Sequence, residues 1–135
     1  MVTMTLIDRL SKLDGPDREV DAEIAIHLLG YTRVNRMEKW PEAQPIWDFY
    51  EGDPLNSNGA LIQPFTASVD AAIALAERVL PGWDHGYERL YENYCEGSVW
   101  QRGWHDRTVV VGSGKTPAIA LLIAILRASE ASHGE

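Results

Sequence analysis

The chain holds one cysteine, Cys95, among its 135 residues. An intrachain disulfide is therefore excluded, and with it the stapled scaffold of small secreted domains, so a reducing, cytoplasmic setting is expected. No C-x-x-C and no H-E-x-x-H occurs, and the four histidines stand apart, so no metal site is expected. Basic residues are few: 12 Lys and Arg against 20 Asp and Glu, a formal charge of −8. That balance disfavours a phosphate backbone, and no direct nucleic-acid contact is expected. The longest apolar run, Ala118 to Leu126, is too short to cross a bilayer, so no membrane partner is expected either. The opening "MVTMTLIDRL" lacks a charged leader ahead of a long apolar core and does not read as a secretory signal.

What is present is ordinary core-forming material. Hydrophobic residues make up 45% of the chain, with five Trp and five Tyr, and one domain over 1–135 is expected. Residues 3–30 read as a helical hairpin. Leu6, Leu10 and Leu13 recur at helical spacing, Asp14 to Pro16 break the pattern, and Val20, Ile24 and Leu28 form a second stripe that Gly30 ends. Residues 31–65 are rich in proline and in turn residues, which predicts loop with a short strand at Ile46 to Tyr50. The remainder, 66–128, reads as a helix, strands and a helix. Ser68 is the expected N-cap of the first helix and Pro81-Gly82 its stop; from Trp83 to Gly112 about three antiparallel strands are expected, connected as a meander. The last helix should start with Thr116 as N-cap and Pro117 at the first helical position. It is apolar all round from Ala118 to Leu126, so it must be covered all round, by the sheet on one side and by other helices or a second subunit on the other. That requirement makes a homodimer the expected assembly.

The segment "VVVGSGKTPAIALL" resembles the start of a phosphate-binding loop. G-x-x-x-x-G-K-[ST] needs a glycine at 109, where Val109 stands, and G-x-G-x-x-G from Gly112 places Pro117 in the last position. Neither motif is complete. A tight strand-to-helix turn is the favoured reading, leaving at most a modest anion site at the helix N-terminus assisted by Lys115.

No complete catalytic constellation is visible, and no enzymatic activity or cofactor is expected. Cys95 with His85 or His105 lacks a local signature and reads as an inert thiol. Glu88, Glu92 and Glu96 would share one face if their segment were helical, and read as a solvated acidic face. The aromatic group Trp83, Tyr87, Tyr91, Tyr94, Trp100 and Trp104 is denser than one sheet face needs, so it is either core or partly exposed for a partner. Within it, "WQRGWHDR" sets arginines among aromatics in an acidic chain. The residues expected to contact a ligand or partner are Trp100, Arg102, Trp104, Arg107 and Lys115.

Three segments together, "GPDREVDAEIAIHLLGY", "FTASVDAAIALAERVLPGW" and "GKTPAIALLIAILRA", resemble the small phage and prophage proteins grouped as the phage ABA sandwich domain. The resemblance covers the two ends and the middle; 31–64 and 84–111 diverge. It implies an α+β fold, an α-β-α sandwich with a small, mainly antiparallel sheet packed by helices. It brings no catalytic motif. The expected function is that of a non-enzymatic bacteriophage or prophage accessory protein acting by binding in the host cytoplasm, as an inhibitor of a bacterial anti-phage defence system in the manner of anti-CRISPR proteins. Its partner would be a host protein or defence complex. The alternatives are a binder or sponge for a small anionic, nucleotide-type signal, with Arg102, Arg107 and Lys115 lining a pocket, and a phage protein with no defence role.

Overall fold

The computed structural model of the chain describes residues 5–35, 47–51, 59–101 and 109–133. Helix α1, Leu6–Ser11, starts with a capping box: Thr5 Oγ1 accepts from the Asp8 N–H, and the Asp8 carboxylate accepts from the Thr5 N–H, so two orphan donors of the first turn are satisfied reciprocally. Helix α2, Arg18–Leu29, is capped by Asp17 and ends at Gly30, whose φ of 71° is the left-handed conformation that glycine adopts without penalty. The two form the expected helical hairpin, bridged by an ion pair between Arg9 and Glu23.

One strand lies where proline and turn content predicts loop. Strand β1, Tyr31–Asn35, pairs antiparallel with β2, Trp47–Glu51, with Tyr31 opposite Glu51 and Arg33 opposite Phe49. The physical reason is that β-branched Thr32 and Val34 alternate with Tyr31 and Arg33, a pattern that suits a pleated surface, and no proline falls within either strand. Helix α3, Val69–Val79, follows, with Ser68 Oγ accepting from the Ala71 N–H. The meander is as expected: β3, Trp83–Tyr91, β4, Tyr94–Gln101, and β5, Val109–Gly114, form a three-stranded antiparallel sheet in that order. The described architecture is thus mixed α+β, with helices packed on small antiparallel sheets.

Helix α4, Pro117–His133, is the centre of the molecule. Every residue from Ala118 to Leu126 is at least 97% buried. Six of them are large aliphatics, each worth roughly 2 kcal/mol when taken out of water, so this helix dominates the core. It lies on the inner face of the three-stranded sheet, and α1 and α3 pack against it as well. The second covering layer that sequence patterning demands is therefore supplied within one chain, and the argument for a second subunit no longer follows from this helix.

Its close seat on the sheet explains the glycines of the apparent nucleotide-binding motif. Gly97 and Gly112 are paired across β4 and β5. A Cβ at Gly97 would stand 2.5 Å from Leu121 Cα, and one at Gly112 2.5 Å from the Ala120 carbonyl oxygen. Both positions must be glycine for the helix backbone to approach this closely. The turn after β5 is an ordinary capped start, with Thr116 Oγ1 accepting from the Ile119 N–H.

Helix α4 covers the inner face of this sheet, and on the opposite face Val109 and Val111 remain exposed.

Candidate functional site: the outer face of the sheet

Alternation along each strand divides the residues between the two faces. On β4, Cys95, Gly97 and Val99 turn inward and are buried, while Tyr94, Glu96, Ser98 and Trp100 turn outward. On β5, Gly112 is buried against α4 and Val109, Val111 and Ser113 face out. The register places Asp84, Gly86 and Glu88 of β3 beside Trp100, Ser98 and Glu96. The outer face therefore carries three aligned rows: Asp84, Trp100 and Val109; Gly86, Ser98 and Val111; Glu88, Glu96 and Ser113.

This face is apolar and acidic together. Val109 is 50% exposed, Val111 42% and Tyr91 72%, and the rings of Tyr91 and Tyr94 stand 6.1 Å apart. The small side chains of the middle row leave a hollow of about 250 Å³ between the aromatic and acidic rows. Gly86, one of its lining residues, lies against the Trp100 indole, which stands 3.5 Å from where a Cβ on Gly86 would be.

Glu88 and Glu96 are directly opposite each other. Among the described residues Glu88 has no ion pair, and Glu96 accepts a hydrogen bond from the Tyr94 hydroxyl at 3.2 Å. That bond and the carboxylate charge hold the Tyr94 hydroxyl above its ordinary value, because ionising it would set a second negative charge beside the first. The segment forms strands, as expected, so the shared helical face that Glu88, Glu92 and Glu96 would have made does not arise. The segment is a β-hairpin turning at Glu92-Asn93, with Asn93 at φ 63°, a left-handed position that asparagine tolerates better than most residues.

The aromatic group splits rather than acting as one. Trp83 packs on the core, while Tyr91, Tyr94 and Trp100 stand on the outer face. Arg102, Trp104, His105 and Arg107 lie outside the described residues. Trp100 and Lys115 are not brought together: Trp100 is level with Val109 at one end of β5, and Lys115 follows Gly114 at the other, roughly 20 Å away at strand rise. Lys115 is instead ion-paired with Asp14 across the start of α4, so it is not turned to an anion there.

Cys95 and His85 do not meet as nucleophile and base. Cys95 is fully buried, its Sγ 3.8 Å from the Lys115 carbonyl oxygen; opposite it stands Arg89, whereas His85 is opposite Val99. Among the described residues no cluster of three His, Cys, Asp or Glu side chains could hold a metal ion, and no described helix is long and apolar enough to cross a membrane.

A second polar cluster escapes sequence reading because its members come from three elements. The Tyr31 hydroxyl donates to Glu51 Oε1 at 3.0 Å, and Arg78 Nη2 stands 3.8 Å from the same oxygen. Burial raises the Tyr31 hydroxyl above its ordinary value, the bond to Glu51 adds to this, and Arg78 works against it.

No protein-family model, curated protein or solved structure matches this chain.

Proposed function

We propose that the protein acts by binding rather than by catalysis, and that it is a bacteriophage accessory protein of the phage ABA sandwich kind that blocks a bacterial defence complex inside the host cell. The observation that carries the reading is the open outer face of the β3–β4–β5 sheet. A monomeric surface rarely leaves a contiguous apolar patch without a use for it, and aromatic residues are enriched at interface hot spots. Here Tyr91 and Tyr94 stand next to a pair of glutamates that no described basic residue neutralises, and Trp100 lies two rows further along the same face, on a chain of net charge −8. Such a face complements a basic surface, including one that a defence complex uses to hold nucleic acid. The phage assignment itself rests on the three-segment resemblance.

The test is direct. Bacteria carrying a defined defence system are challenged with phage, with and without this chain, and the purified defence complex is passed over the immobilised protein. Restored plaque formation with retention of the complex, both lost in Val111→Lys, is the expected result. Unchanged plaque counts and no retention across a panel of defence systems would overturn the reading.

A further inference from the structure

A hollow of about 300 Å³ opens between α2, α3 and the β1–β2 hairpin, away from the outer sheet face. Its volume is at the small end of the roughly 300–1,000 Å³ of small-molecule pockets. The floor is apolar, made by Leu29, Phe65 and Leu75. Room exists because α3 presents Ala71 and Ala74 there, where larger side chains would close the space. On the rim stand one carboxylate and one guanidinium, Glu51 and Arg78. Their closest approach is 3.8 Å, beyond hydrogen-bond length, and both side chains are more than half exposed. Arg78 thus faces the hollow with donors that Glu51 does not consume, and Glu51 has a second oxygen beyond the one that accepts from Tyr31.

We propose that this hollow binds a small zwitterion with an apolar side chain, of the α-amino-acid class. The ligand carboxylate pairs with Arg78, its ammonium pairs with Glu51, and its side chain enters the space over Leu29, Phe65 and Leu75. Opposite charges side by side over an apolar floor match that distribution of groups. A simple anion would meet repulsion from Glu51, and a simple cation repulsion from Arg78. Tyr31 fixes the Glu51 carboxylate through its hydroxyl and is a positioning residue.

The experiment is calorimetric titration of the full chain with leucine and with phenylalanine, alongside glycine, N-acetyl-leucine and leucine amide. Saturable binding of leucine or phenylalanine is expected, with glycine silent. Each capped form should bind about tenfold or more weakly, as expected for loss of a charge-assisted contact. Glu51→Gln keeps an acceptor for Tyr31 while removing the charge, and Arg78→Gln changes an exposed residue, so both should fold and both should lose about tenfold in affinity. Ala74→Leu should abolish binding by filling the hollow. Absence of saturable binding to either amino acid, equal binding of the capped forms, or affinity unchanged in the folded variants would each overturn the proposal. The site is independent of the outer face, so Val111→Lys should leave this binding intact.

Discussion

Asp21 and Thr66 are 45 residues apart in sequence and share one buried carboxylate oxygen: the Thr66 backbone N–H and hydroxyl both lie 2.7 Å from Asp21 Oδ1. Arg18 reaches the other oxygen at 2.9 Å and extends to the Ile62 carbonyl, and Thr66 Oγ1 also accepts from the Asp17 N–H at 2.8 Å. A fully buried carboxylate is tolerable only when satisfied in this way. The network ties the first turn of α2 to the segment that leads into α3, and so holds the helical hairpin against the rest of the molecule. Asp21→Ala takes the acceptor from the buried Thr66 N–H and the nearer acceptor from its hydroxyl, while Arg18 keeps the Ile62 carbonyl and water, and should cost about 2–3 kcal/mol. Thr66→Val should cost less, about 1–2 kcal/mol. Urea denaturation of the two variants checks the order as well as the size.

The glycines of β4 and β5 make a sharper prediction. Gly97→Ala and Gly112→Ala each place a carbon 2.5 Å from α4 backbone atoms, which neither a rotamer change nor a side-chain shift can relieve. Each should lose about 3 kcal/mol or more, or fail to fold. Gly15→Ala is the control: nothing lies within 4 Å of the added carbon, and its effect should stay within about 1 kcal/mol. Thermal unfolding monitored by circular dichroism would separate the two classes.

These two cases show what can be read in the sequence and what cannot. Gly30, Ser68 and Thr116 announce their helix ends because capping is a local matter of backbone geometry and one side-chain oxygen. The aromatic density of β3 and β4 is visible in the same way. Its division between core and surface is not, since it depends on a register set by the Asn93 turn. Gly112 and Gly114 suggest a phosphate loop in one dimension, and only the seated helix shows that the missing side chains make room for it, for its backbone at Gly112 and first for the Ile119 side chain at Gly114. Asp21 looks like a first-turn acidic residue favoured by the helix dipole; its buried role depends on Thr66, which no local pattern connects to it. Glu51 and Arg78 are separated in the same manner, so the hollow they border has no sequence signature.

Tyr31 predicts a pH dependence at the alkaline end. Its hydroxyl is held above the ordinary value of 10.0 in the fold, first by burial and then by the bond to Glu51. The folded state keeps a proton that the unfolded chain gives up sooner. The stability this contributes is complete below the unfolded value and is lost as pH rises through the folded value. Urea midpoints at about pH 8 and about pH 11 should therefore fall more in the parent protein than in Tyr31→Phe. Tyr94 is also raised, but it is present in both proteins and cancels in the comparison. An equal fall in the two would show that Tyr31 titrates alike in the folded and unfolded chains.

The opposed glutamates on the outer face offer a way to separate stability from binding. Like charges directly opposite each other in an antiparallel pair are unfavourable, and no described basic residue relieves Glu88 and Glu96. Glu88→Lys turns the contact into an attractive cross-strand pair and should raise stability by about 0.5 kcal/mol. If the outer face receives a basic partner, the same change should weaken that association, chiefly by slowing its rate, and make it less sensitive to salt. A gain in stability accompanied by a loss of binding would mean that the repulsion is retained for the partner. A gain in stability with binding and its salt dependence unchanged would move the interface off this face. Denaturation curves and association rates at two ionic strengths, measured on the same preparation, distinguish these outcomes.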